Sequence, residues 1–168
     1  HFLSPWVNLG ESPTVFRALY DDTHLYFRFE VTDSHIYINE ELQGRLAIDN
    51  SDRVELFFRT NKELDPYYCL EIDSRARCQD FMGKPEKQLD FNWNWPAEGM
   101  DLNSEMTEEG FVVEGALKLD TMRELALIQD GRIETGVYRA RYHKQADNSW
   151  EPEWICWVDP GTEQPDFH

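Results

Sequence analysis

The sequence predicts an all-β domain: an antiparallel β-sandwich of two packed sheets, immunoglobulin-like or jelly-roll-like, with one short helix. Three observations predict it. Short runs of alternating apolar and polar residues recur along the chain, and they are rich in aromatic and β-branched residues. The joints between them are short and rich in Asp, Asn, Ser and Gly. A length of 168 residues suits one domain spanning 1–168 with a sizeable core.

The first hairpin sets the pattern. From Thr14, Val15, Arg17 and Leu19 share one face, and Phe16, Ala18 and Tyr20 share the other. After the turn Asp21-Asp22-Thr23-His24, Leu25, Phe27, Phe29 and Val31 oppose Tyr26, Arg28 and Glu30. A period of two belongs to strands, because successive side chains point to opposite faces. Arg53 to Phe58 sets Val54, Leu56 and Phe58 against Arg53, Glu55 and Phe57. Tyr67 to Ile72 sets Tyr68, Leu70 and Ile72 against Tyr67, Cys69 and Glu71, and Arg77 to Phe81 returns antiparallel to it. Leu89 to Trp95 groups Phe91, Trp93 and Trp95, and Gly110 to Leu119 groups Phe111, Val113, Leu117 and Leu119. Arg132 to Lys144 sets Tyr138, Ala140 and Tyr142 against Val137, Arg139, Arg141 and His143, and Glu153 to Val158 completes the strands. The helix is expected over Thr121 to Ile128, with Asp120 as its cap. The facing apolar residues Leu25, Phe27, Phe29, Val54, Leu56, Phe58, Leu70, Ile72, Phe111, Val113 and Leu117 form the expected core.

Composition excludes several functions. A formal net charge of -17 argues against nucleic acid, whose backbone needs clustered Lys and Arg, and against an anionic membrane surface. No run approaches the roughly 20 apolar residues of a membrane span. Aromatics at 14% are too many for a disordered chain. Cys69, Cys78 and Cys156 lack metal-type spacing. They read as thiols, with a Cys69–Cys78 bridge as the alternative.

Four motifs occur in a fixed order: Leu19-Tyr20-Asp21-Asp22-Thr23-His24-Leu25-Tyr26-Phe27, Asp52-Arg53-Val54-Glu55-Leu56-Phe57-Phe58, Gly110-Phe111-Val112-Val113-Glu114, and Trp157-Val158-Asp159-Pro160 with Pro165-Asp166-Phe167-His168. Together they resemble the family 9 carbohydrate-binding modules and the wider DOMON-like sandwich superfamily. The resemblance implies a sugar site on one concave sheet face, often with structural calcium. It also implies a secreted, periplasmic or cell-surface setting, within or beside a larger glycan-degrading protein or complex. Glu55 matches the outward Glu that bonds ligand hydroxyls, and Asp52 matches the acidic start of that strand. Arg139 and Arg141 lie where relatives place polar residues facing the site. Binding members clamp the sugar between two Trp side chains, whereas Leu46 to Ser51 and Gly161 to Pro165 hold no aromatic. Sugar hydroxyls are already satisfied by water, so polar contacts alone yield little affinity and an aromatic platform matters. Trp93, Trp95, Trp150 and Trp154 are the replacement candidates. Trp93 and Trp95 also suit the core, Trp150 also suits loop packing, and Trp154, like Trp6 and Trp157, suits packing.

The expected ligand set is therefore Glu55, Glu71, Arg139, Arg141, Trp93, Trp95 and Trp150, with no catalytic residue. The expected function is non-catalytic recognition of a neutral sugar or glycan. The alternatives are an interaction or structural sandwich that has lost its sugar site and, more remotely, a glycoside hydrolase. Arg139 and Arg141 on the face of Glu55 and Glu71 would lower both carboxyl pKa values and leave no proton donor. Calcium ligands would come from scattered turn acids, Asp21-Asp22, Asp33, Asp49, Asp52, Asp73, Asp80 and Asp159.

Overall fold

A computed structural model describes residues 6–8, 12–159 and 161. The alternating runs become strands, in two antiparallel sheets. The first sheet orders β1 (Trp6–Asn8), β2 (Thr14–Tyr20), β3 (His24–Thr32), β9 (Gly110–Lys118) and β8 (Met100–Met106). The second orders β11 (Trp150–Cys156), β10 (Thr135–Lys144), β4 (Arg53–Arg59), β5 (Tyr67–Asp73), β6 (Cys78–Lys84) and β7 (Gln88–Asp90). Phe27, Phe29, Val31, Phe111, Val113 and Leu117 of the first sheet meet Val54, Leu56, Phe58, Leu70 and Ile72 of the second in one buried core. Leu25 packs at its edge, half-buried.

Three expectations about elements change. Two short helices form where one is expected: α1 (Arg45–Asp49) and α2 (Leu119–Glu124). Asp120 lies inside the first turn of α2, with Lys118 at the cap position and no side-chain cap bond. The expected strand over Leu89 to Trp95 is only β7, because Asp90 accepts the Asn92 N–H at 2.9 Å and turns the chain there. The polar strand β8 carries too weak an alternation to be read from sequence, yet it pairs along its length with β9.

Register decides which residues share a face. Tyr138 of β10 pairs with Glu55, and Arg139 with Val54. Arg139 therefore points between the sheets, on the opposite side of the sheet from Glu55. There it is fully buried. Its Nη2 donates to Asp33 Oδ2 at 2.7 Å, and its Nη1 donates to Ser12 Oγ, the Ser12 carbonyl and Thr14 Oγ1. Arg141 Nε joins Asp33 Oδ2 at 2.7 Å. The expectation that Arg139 and Arg141 share the face of Glu55 and Glu71 is overturned. Two alternating patterns were legible, but the register joining them was not, and a one-residue difference exchanges faces.

The cysteines fall to opposite faces for the same reason. Cys78 pairs with Ile72 and packs on the core side, whereas Cys69 pairs with Phe81 on the outer side. All three cysteines are free thiols, so the bridge does not form.

Candidate functional site

The outer face of the second sheet concentrates the polar chemistry. One cross-strand row holds Tyr138, Glu55, Glu71 and Gln79, and the next holds Trp154, Ala140, Arg53 and Asp73. Alternation within each strand puts these residues on one side, and the antiparallel register aligns them. On the far side of the acidic row, Phe57, Tyr67, Cys69 and Phe81 form an apolar cluster. The helix α1 packs over β5 and β6 and buries Ala47 and Ile48. Its entry is Gly44 at φ +57°, a left-handed conformation that glycine adopts without strain.

Arg53 organises the row. Its Nε donates to Glu55 Oε1 at 2.8 Å and lies 3.7 Å from Glu71 Oε2, while Nη1 donates to the Asp49 carbonyl at 2.7 Å. The half-buried Trp154 ring lies 5.2 Å from the Arg53 guanidinium. Glu55 is 1% exposed and Glu71 7%. Two buried acceptors here have no donor: Glu71 Oε2 and Gln79 Oε1. Buried polar atoms are normally satisfied, so two adjacent exceptions on one face call for a ligand or water.

Burial also reverses the electrostatics expected from the sequence. It raises the Glu71 pKa well above the usual carboxylate range, with the Glu55 charge adding to it, Arg53 opposing and Asp49 adding further. Burial raises Glu55 as well, against the Arg53 attraction. Burial works against the charge on Arg53, but Glu55 and Glu71 hold its pKa above the normal value. Beneath this row Asp52, which accepts the N–H groups of Tyr37 and Tyr142, is pushed by burial up to about 6.

These shifts predict an unusual pH profile. An acid whose folded pKa exceeds its unfolded value stabilises the fold fully below the unfolded pKa. That contribution is lost as pH rises through the folded pKa. Asp52 should remove on the order of 3 kcal/mol between its ordinary value near 3.8 and about 6. Glu71 should extend the loss to higher pH. Urea unfolding from pH 4 to 8 should show stability falling with pH, and Glu71→Gln should flatten the upper part. A profile that rises across this range would contradict the assigned burial.

The aromatic candidates separate. Trp95 is buried in the core against Phe58, and Trp93 packs between Tyr68 and Trp95 on the same side. Neither reaches the outer face. Trp150 stacks on Tyr37 with centroids 3.8 Å apart and planes 12° apart, and Tyr37 in turn meets Tyr142 at 5.9 Å. Trp150 thus anchors the segment between β3 and α1 at the end of the face. Trp154, expected like Trp6 and Trp157 to be a packing residue, is the aromatic beside Arg53; the side chain of Trp6 lies outside the described residues. On the rim, Arg45 of α1 stacks over Phe91 at 4.0 Å and pairs with Asp49 at 3.2 Å.

A family model described as carbohydrate family 9 binding domain-like matches residues 5–168. The chain belongs to that family. Solved structures share its fold. A candidate carbohydrate-binding protein from Bacteroides uniformis superposes with a TM-score of 0.68 at 14% identity, over 100% of this chain and 81% of that one. A family 9 carbohydrate-binding module from Caldicellulosiruptor kristjanssonii, in complex with glucose, gives 0.52 at 13% identity, over 94% and 75%. The same organism's module in complex with cellotriose gives 0.50 at 11%, over 94% and 73%. Among curated proteins none matches the sequence.

The family's frequent companion, calcium, finds no ligand set among the described residues. No three His, Cys, Asp or Glu side chains there converge as a metal site. The turn acids are otherwise engaged: Asp21 by Thr23 and His24, Asp33 by Arg139 and Arg141, Asp73 by Arg75 and Arg77, Asp80 by the Trp95 N–H. Glu55, expected as an outward Glu, lies on the outer side of the second sheet but is buried against Arg53. Arg53, Gln79 and Trp154 join it only through register, and the signal for them in sequence was the shared alternation of Arg53-Glu55-Phe57 and Gln79-Phe81.

Proposed function

We propose that this domain is a non-catalytic carbohydrate-binding module whose ligand face is the outer side of the second sheet, around Arg53, Glu55, Glu71, Gln79 and Trp154. The observation that carries the reading is the pair of buried acceptors without donors, Glu71 Oε2 and Gln79 Oε1, beside a partly exposed indole. Acceptors that lack donors suit hydroxyls, and the indole offers a plane for the C–H side of a sugar ring. Neutral or amino-bearing glycans suit a face where Asp49, Glu55 and Glu71 outnumber Arg45 and Arg53, and uronic acids do not. Family membership supports carbohydrate as the ligand class. The setting is a larger glycan-degrading protein or complex outside the cytoplasm, and binding needs no calcium.

The expected absence of hydrolysis rests on Arg53. A glycosidase divides acid and nucleophile between carboxyls whose environments push their pKa values apart. Burial raises Glu71 further than Glu55. Arg53, however, is hydrogen-bonded to Glu55 and lies 3.7 Å from Glu71, so Glu55 is held as an ion-pair partner and does not stand free as a nucleophile or base.

Calorimetry with glucose and cellotriose, with and without EDTA, tests the reading. Binding should be weak, on the order of a millimolar Kd, because one indole replaces a two-sided clamp. Trp154→Ala should weaken it about 5- to 10-fold, the equivalent of one aromatic contact of roughly 1 kcal/mol, while thermal stability changes little. Binding that is indifferent to Trp154→Ala would place the sugar elsewhere. Failure of a broad glycan array would favour an interaction sandwich whose face is filled by its own Arg53.

A further inference from the structure

Building on the carbohydrate reading above, we propose that this face selects a sugar carrying a free amino group, held as an ammonium between Glu71 and Gln79. Asp49 is matched by Arg45, and Glu55 by Arg53. Glu71 has only a distant share in Arg53, at 3.7 Å and without a hydrogen bond. The cluster is therefore one cation short. Glu71 and Gln79 are direct cross-strand partners, and each keeps one buried oxygen that no donor reaches. Both residues are more than nine-tenths buried, with exposures of 7% and 6%. Arg53 stands on the β4 side of Glu71, 3.7 Å from its Oε2, and Gln79 stands on the opposite, β6 side, one strand further from Arg53.

An ammonium matches this vacancy in donors and in charge. It offers three N–H groups and one positive charge, whereas a hydroxyl offers one O–H and no charge. A metal ion does not match, because among the described residues no three carboxylates converge. The ionisable groups around Glu71 are Arg53 and Glu55 from β4, Asp49 from α1, and Cys69 on its own strand. Burial and the Glu55 charge raise the Glu71 pKa well above the ordinary carboxylate range, so a proton competes with a cation for this carboxyl. When the ammonium arrives, that proton leaves to solvent and the carboxylate pairs with the ligand. Binding is non-covalent and releases up to one proton.

Calorimetry with glucosamine, glucose, N-acetylglucosamine and glucuronate tests this, run at pH 7 in two buffers of different ionisation heat. A charge-assisted hydrogen bond is about twice as strong as a neutral one, so glucosamine should bind about tenfold tighter than glucose. It should release protons where glucose does not, and acetylation of the amine should abolish the advantage. Glu71→Gln should bring the ratio of the glucosamine and glucose affinities close to one. Gln79→Glu, which adds a second carboxylate, should raise that ratio, and it keeps the test decisive if Glu71→Gln does not fold. Glucosamine binding no tighter than glucose overturns the amino-group assignment and leaves the carbohydrate reading standing. Binding of none of the four sugars overturns both.

Discussion

Asp33→Ala should destabilise the domain by about 3–5 kcal/mol, among the largest losses of any single substitution here. The change strips the carboxylate from Arg139, which is fully buried between the sheets, and from Arg141. Burial alone would raise the Asp33 pKa. Hydrogen bonds from the His35 N–H, Arg139 and Ser12 instead bring it below the ordinary value, so the cluster is ionic in the folded protein. Removing one partner leaves an uncompensated buried guanidinium, and that penalty far exceeds the net worth of the intact pair. The double variant Asp33→Leu, Arg139→Met should recover much of the loss, since apolar replacement of a buried pair is often neutral. Chemical denaturation reads both results. Sugar affinity per folded molecule should be unchanged, because this cluster lies on the opposite side of the second sheet from Glu55. Lost binding with intact stability would return Arg139 to the ligand face.

Glu55→Ala should act on both properties at once. The carboxylate is 1% exposed and is the hydrogen-bonded partner of Arg53 at 2.8 Å. Its removal leaves Arg53 buried with only the distant Glu71, and a loss of about 3 kcal/mol follows from breaking a buried pair. Sugar binding should disappear with it, because Arg53 loses the contact that fixes its position beside Trp154. From sequence alone the same substitution looks nearly neutral for stability, since Glu55 reads as an outward residue on an exposed face. The burial of Glu55 and its ion pair with Arg53 change that expectation. Glu55→Gln separates the effects: it retains volume and one acceptor, and should retain more stability than Glu55→Ala while still weakening binding. Equal stability of wild type and Glu55→Ala would show that this face is open to water.

Much of this protein was written locally. Alternation in Thr14 to Thr32, Arg53 to Phe58 and Tyr67 to Ile72 determined strands and their apolar sets, because side chains of a strand must alternate whatever the strand pairs with. The ordered motifs around Asp21, Glu55 and Phe111 determined the family, and Glu55 as a central residue came with it. What the sequence could not determine was every relation between strands. Arg139 and Glu55 each sat on a clear face of their own strand, but only the pairing of Tyr138 with Glu55 set those faces on opposite sides of the sheet. Gln79 entered the site, and Trp93 and Trp95 left it, by the same kind of non-local decision. The charge states followed last. Glu71 looked like a carboxylate beside cations, yet burial and the neighbouring charge of Glu55 raise its pKa well above the ordinary value. Burial is a property of the assembled sandwich, and no single strand carries it.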